Sequence, residues 1–211
     1  MPTSRSYRDS CGIARALDIV GERWALLVVR ELLLAPQRFS ELRHALPNAS
    51  SNLLTDRLRE LQHHGVIRRR TRESATGPQV YELTERGRKL EPVILALSDW
   101  GIDAPHPPQP TSLSATSVLI YLRGHVHPDP AAPPTVCRLE LDGTTWTLRA
   151  ESGRIQVHSG EPATADLSLR TTPKTLSALL TDPAALDTAL AEGTVTFAGN
   201  RPALNGLLYG G

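Results

Sequence analysis

Cysteine is scarce in this chain: only Cys11 and Cys137 occur among 211 residues. Two isolated cysteines without short paired spacing exclude a disulfide scaffold and a zinc ribbon, and reduced thiols in a cytoplasmic protein are expected. Long hydrophobic runs are also missing. The longest, Trp24 to Leu34, is broken by Arg30-Glu31 and falls far short of the ~20 residues that cross a bilayer, so no membrane partner is expected. The first residues, MPTSRSYRDS, lack the apolar stretch of a secretory signal. Net charge is nearly absent, since 23 Lys and Arg face 22 Asp and Glu, and overall electrostatics select no partner. No G-x-S-x-G, H-E-x-x-H, Walker loop or G-x-G-x-x-G is found, so neither an enzyme nor a cofactor is expected. His125-x-His127 with Asp129 has metal-binding residue types but lies in a turn beside prolines, and no metal site is assigned to it. What remains is a globular balance, 40% hydrophobic and 21% charged, with length for two modest domains.

Charge and proline divide the chain. Residues 1–103 carry 16 Lys or Arg against 13 Asp or Glu, while 104–211 carry 7 against 9. Between these halves, APHPPQPTS (104–112) holds four prolines in nine residues. Neither helix nor sheet continues through such a stretch, which as polyproline would span roughly 28 Å. The expected organisation is a domain over 1–103, a spacer over 104–112 and a second domain over 113–211.

The first half reads as helices followed by a hairpin. Ile13, Ala16, Leu17 and Val20 have helical spacing that Gly21 stops, and Glu22 to Ala35 predicts a second, buried helix ended by Pro36. A third starts at Ser40 and ends before Pro47. Ser50 or Ser51 can cap a fourth, whose Leu54, Leu58 and Leu61 form one stripe before Gly65 terminates it. Val66–Arg72 and Gln79–Leu83 are extended, and Thr84 can cap a last helix, kinked at Pro92, with Leu90, Ile94, Leu97 and Trp100 on one face.

Four helices and a basic hairpin describe a winged helix-turn-helix. With the leucine stripe turned inward, Asn52, Thr55, Asp56, Arg59 and His63 face outward. Ser51, Asn52 and Thr55 lie at the helix N-terminus, the end that meets base edges and phosphates in the major groove. Strand alternation sends Arg68, Arg70 and Arg72 to one face. Such a row suits a phosphate backbone; the other reading is a charged edge that resists aggregation. Residues 50–90 hold nine Lys or Arg and five Asp or Glu, so the basic footprint is local. The expected partner is double-stranded DNA, contacted by Ser40, Ser50, Ser51, Asn52, Thr55, Asp56, Arg59, Arg68, Arg70 and Arg72.

The runs LDIVGERWALLVVREL (17–32), RFSELRHALPNAS (38–50), LLTDRLRELQHHGVI (53–67) and VYELTERGRKLEPVI (80–94), with Cys11 ahead of them, resemble the HxlR-type winged-helix transcriptional regulators. The resemblance covers about residues 9–101. It implies a homodimer on a roughly palindromic operator, paired through the first and last helices of the domain, with Ile13, Leu17, Leu90, Ile94, Leu97 and Trp100 as candidate interface residues. Ser51-Asn52 stands where the family often carries a basic residue, and Cys11 is followed by Gly-Ile rather than the usual proline. In some members the matching cysteine senses electrophiles or oxidants, which makes Cys11 a candidate redox residue, with Arg8 and Arg15 near enough in sequence to favour a thiolate. An inert interface thiol is the other reading.

In the second half, 112–123 reads as a helix. Short strands follow at 136–141, 144–150, 154–158 and 165–170, separated by Asp142-Gly143, Ser152-Gly153 and Gly160-Glu161-Pro162. Helices are expected over 171–180, 183–192 and 202–209, with a strand at 194–198. The segments ADLSLRTTPKTLSALLTD (165–182) and ALAEGTVTFAGNRPALNGLL (189–208) resemble the sterol-carrier-protein-2-like fold, an α/β domain with a mainly antiparallel sheet. The fold class expected of the whole chain is therefore α+β. The resemblance implies an apolar small-molecule effector held by Leu176, Leu179, Leu180, Leu186, Leu190, Phe197, Leu204 and Leu207; alternatively these residues fill an ordinary core. A regulator controlled by that ligand, a DNA-binding adaptor whose second domain contacts a protein, and a thiol sensor acting through Cys11 all remain open.

Overall fold

The structure, a computed structural model, describes residues 6–71, 77–105 and 112–210. Arg72 and most of the proline-rich stretch lie outside them. The chain forms two compact units, residues 1–108 and 109–211.

In the first unit, α1 (Gly12–Val20) buries Ala14 and Val20 and ends at Gly21. Helix α2 covers Ala25–Glu31 rather than the expected 22–35. Trp24, at φ 78°, turns the backbone left-handed immediately before it, where no right-handed helix can run. Beyond Glu31 the bonds tighten to three-residue spacing, Leu32 N–H to Val29 O and Leu33 N–H to Arg30 O, and the helix stops short of Pro36. Helix α3 (Phe39–Ala45) is capped by Glu41, whose carboxylate accepts the Arg38 backbone N–H at 2.5 Å.

Helix α4 (Ser51–His63) starts where Ser50 Oγ accepts the Leu53 N–H at 3.3 Å. Its Leu54, Leu58 and Leu61 are buried against α1 and α2. Its end is a Schellman motif: Gly65, at φ 66°, donates to Gln62 O, and Val66 N–H donates to Leu61 O at 2.9 Å. Strands β1 (Ile67–Thr71) and β2 (Gln79–Leu83) then form the antiparallel wing. Gln37 and Tyr81 exchange two backbone hydrogen bonds, of 3.0 and 2.8 Å, and so tie the wing to the segment before α3.

The segment after the wing is two helices, α5 (Glu85–Arg88) and α6 (Glu91–Gly101), not one kinked helix. Pro92 occupies the first turn of α6, where its missing N–H would have had no partner. Of the candidate interface residues on this segment, Ile94 is buried within its own unit, Leu90 is half-buried, and Leu97 and Trp100 are exposed, Trp100 at 79%.

The second unit opens with α7 (Ala115–His125), capped by Ser114 Oγ on the Ser117 N–H. Strands β3 (Thr135–Leu141), β4 (Thr144–Glu151) and β5 (Arg154–Ser159) form an antiparallel meander, which the fourth expected strand does not continue. Strand β6 (Leu167–Thr171) pairs parallel to β3, and β7 (Thr196–Ala198) pairs antiparallel to β6, giving the order β5-β4-β3-β6-β7. Helices α8 (Pro173–Thr181), α9 (Ala185–Ala191) and α10 (Arg201–Tyr209) complete the unit. Alternation buries Cys137, Leu139, Leu141, Trp146 and Leu148, and leaves Arg149 and Arg170 exposed on the other face of the sheet.

One close approach fixes the α4–wing junction. A Cβ on Gly87 would lie 2.1 Å from the Val66 carbonyl oxygen, whereas Gly65 has open space and needs only its positive φ. Gly65→Ala should cost about 1–2 kcal/mol. Gly87→Ala should cost more, because backbone must move; urea unfolding of both variants measures the difference.

Candidate nucleic-acid interface

The Ser50 cap of α4 sets which side chains the first unit presents. Because Ser50 holds the first turn and the leucine stripe is buried, Ser51, Asn52, Asp56 and Arg59 are exposed along one side of the helix. Ser40 is exposed on α3. Thr55 is half-buried, and its hydroxyl donates to Ser51 O at 2.8 Å. Arg59 approaches Asp56 at 3.7 Å. Arg57, by contrast, is buried; it pairs with Glu60 at 2.5 Å and reaches Glu22 at 3.8 Å.

The wing holds a group that sequence reasoning missed. Glu82 lies opposite Arg68 in the ladder and is only 6% exposed. Arg68 Nε donates to its Oε1 at 2.6 Å and Arg70 Nε to its Oε2 at 2.5 Å. Two guanidinium groups on one carboxylate leave one net positive charge, on side chains that are themselves largely exposed. Burial pushes the Glu82 carboxyl up, but hydrogen bonds and charge from Arg70 and Arg68 outweigh it, and the carboxyl is held below its ordinary range. Arg69 points to the other face, 5.9 Å from the Tyr81 ring. Strand alternation revealed the arginine row. The acid that holds it in place comes from the partner strand, and only the register shows it.

Cys11 is exposed and occupies the cap position before α1. Backbone N–H groups of Ala14 and Ile13 lower its thiol pKa, so the helix start rather than Arg8 or Arg15 favours the thiolate. Cys137 is buried, and desolvation pushes its thiol up to about 12.

Residues 19–107 match the HxlR-like helix-turn-helix family model, and residues 134–206 match the SCP-2 sterol transfer family. The uncharacterized HTH-type transcriptional regulator YdeP of Bacillus subtilis (strain 168) is 40% identical over 93 residues, 44% of this chain and 73% of the relative. The chain belongs to the HxlR-like helix-turn-helix family. A second relative, the uncharacterized HTH-type transcriptional regulator Mb3122 of Mycobacterium bovis, is 36% identical over 126 residues, 59% of this chain and 74% of its own. Among solved structures, the redox regulator HypR in its oxidized form is 31% identical, with a TM-score of 0.43, over 46% of this chain and 100% of that one. Reduced YodB of B. subtilis is 27% identical, with a TM-score of 0.41, over 48% and 100%.

This HxlR-family chain is thus a transcriptional regulator of winged helix-turn-helix type, and its second unit carries an SCP-2 domain. No helix among the described residues is long and apolar enough to cross a membrane. In the SCP-2 domain, Leu176, Leu179, Leu186, Leu204 and Leu207 are fully buried, whereas Leu180, Leu190 and Phe197 are half-buried.

The Glu82 pair carries a pH signature. A carboxyl with a depressed folded pKa stabilises the fold above its unfolded value of about 4.3, and the contribution is lost as pH falls through the folded value. The stability gap between the wild type and Glu82→Gln should be full at neutral pH and shrink below about pH 4. Chemical unfolding across that range measures it.

Proposed function

We propose that this regulator is a cytoplasmic homodimer that binds duplex DNA sequence-specifically and responds to an apolar small molecule taken up by its SCP-2 domain. The observation that carries the DNA reading is the exposed N-terminal half of α4, with Ser51 and Asn52, together with the Arg68–Arg70 pair clamped on β1. A helix of this kind enters the major groove while the wing arginines meet phosphate. Arg72 belongs to the proposed contact set on its sequence position alone. Ser40, Ser50, Asp56 and Arg59 complete the contact set, and Thr55, its hydroxyl already bonded to Ser51 O, accepts rather than donates. Two such helices in a dimer stand about 34 Å apart, one turn of DNA.

Exposed apolar side chains support the dimer: Ile13 and Leu17 on α1, and Val93, Leu97 and Trp100 on α6. The proposed domain limits, 1–103 and 113–211 with 104–112 between them, follow the composition. In this reading effector binding in the SCP-2 domain involves the half-buried Leu180, Leu190 and Phe197 together with the buried Leu176, Leu179, Leu186, Leu204 and Leu207. A coupling of 1–3 kcal/mol, typical of allostery, would change operator affinity about 5- to 150-fold.

One experiment tests the main reading. Bound DNA is selected from a random duplex pool, with and without a cell lipid extract, and the winning sequence is titrated against variants over a range of salt. Arg70→Ala should weaken all sequences alike and lower the salt slope by about one. Asn52→Ala should cost on the order of 1–3 kcal/mol at particular base pairs. A monodisperse monomer by light scattering, or Arg70→Ala changing preference at constant salt slope, would refute the assignment.

The helix-start position of Cys11 favours a second, thiol-based input. Iodoacetamide near neutral pH should label Cys11 and spare Cys137. If labelling leaves operator affinity unchanged, that input is ruled out.

A further inference from the structure

Helix α4 carries two acids, Asp56 and Glu60, and they are placed very differently. Glu60 pairs with the buried Arg57 guanidinium at 2.5 Å and so helps to hold the helix. The Asp56 side chain is 53% exposed. Among the described residues its carboxylate accepts no hydrogen bond, and its one ion pair, with Arg59 Nη1, spans 3.7 Å. Asp56 also stands in the second turn of α4, where it caps nothing and lies beyond the reach of the helix dipole. Folding leaves this acid with nearly all of its acceptor capacity unspent.

Its position makes that capacity matter. Asn52, Asp56 and Arg59 follow one another at i, i+4 and i+7 along the exposed side of α4, opposite the buried Leu54, Leu58 and Leu61. A carboxylate pressed against DNA is repelled by phosphate and loses its water, a heavy cost unless a donor meets it. Base edges in the major groove offer two such donors, cytosine N4 and adenine N6. Adenine sets its N7 acceptor beside N6, an arrangement that suits an amide and repels a carboxylate. Cytosine offers N4 with no acceptor beside it on its own edge. The guanine paired with that cytosine presents O6 and N7, which suit a guanidinium. Arg59 supplies one from the next turn of the same stripe, with its side chain 76% exposed. The two side chains carry an acceptor and a donor side by side, the complement of a C·G pair.

We propose that Asp56 is a specificity-determining residue of α4: it accepts from cytosine N4 in each operator half-site, while Arg59 donates to the guanine of the same base pair. The proposal rests on the DNA reading given above and adds to it the base pair selected and the residues that select it.

The test uses the full-length protein and the duplex it selects from a random pool. All four base pairs are then placed at each operator position in turn, and binding is titrated at one fixed salt concentration. Asp56→Ala should lose a preference for C·G of roughly 5- to 150-fold at one position of each half-site, and keep the preferences elsewhere. Asp56→Asn should shift that position toward adenine, which an amide reads through N6 and N7. Arg59→Ala should relax the same position. Both side chains are exposed, so the variants should match the wild type in circular dichroism. Three results overturn the assignment. Asp56→Ala could tighten binding to every sequence alike with all preferences intact, the mark of simple repulsion. The position it relaxes could favour a pair other than C·G. Arg59→Ala could relax a different position, which would separate the two residues. If the wild type selects no sequence from the pool, the DNA reading itself fails, a distinct outcome that takes the assignment with it.

Discussion

Three successive carbonyls, those of His64, Gly65 and Val66, lie where α4 stops and the wing begins. Each is answered by the segment that returns after the wing: Arg86 Nη1 donates to His64 O at 2.8 Å, the Thr84 hydroxyl donates to Gly65 O at 2.6 Å, and the Thr84 backbone N–H donates to Val66 O at 3.0 Å. Carbonyls at a helix end otherwise need water or a cap. Here they connect the exposed helix, the hairpin and α5. The same Thr84 oxygen accepts the Gly87 N–H and caps α5, so the direction of the wing relative to α4 is set by one threonine and the absence of a side chain at Gly87.

The two units solve the burial of a sheet differently. The two-stranded wing has too little area to stand alone and is held through Gln37, Thr84 and the Ile67–Leu83 pair. The five-stranded sheet covers one whole face with helices and leaves charges on the other, where Arg138, Glu140, Glu161 and Arg170 pair with one another.

Local signals were legible in the sequence. Leucines at helical spacing, a serine cap and a glycine stop defined α4 to within a residue, because each acts within one or two turns. Alternation, one Asp-Gly turn and one Ser-Gly turn located β3, β4 and β5 for the same reason. Long-range and strained features were not legible. Nothing in the sequence around Trp24 declares a positive φ, and its effect was to shorten α2 at its start. Pro92 was read as a kink because periodicity runs on both sides of it, yet the break falls at Lys89-Leu90 and proline opens the next helix. The parallel pairing of β6 with β3 and the hold of Glu82 on Arg68 and Arg70 depend on register between distant segments, which composition does not encode. The contact residues named on α4 follow from its periodicity. Ile94, which shares the same stripe as Leu97 and Trp100, was claimed by the core of its own unit.

The division of labour around α4 bears on how such proteins diverge. Leu54, Leu58 and Leu61, with buried Arg57, hold the helix in place, while Ser51, Asn52, Asp56 and Arg59 contribute almost nothing to packing. Substitutions on the outer side therefore escape the stability threshold that constrains the inner side. A lineage descended from this chain can vary these four exposed positions while its fold stays the same. Kinship read from the buried residues would then outlast any likeness along the exposed side of α4.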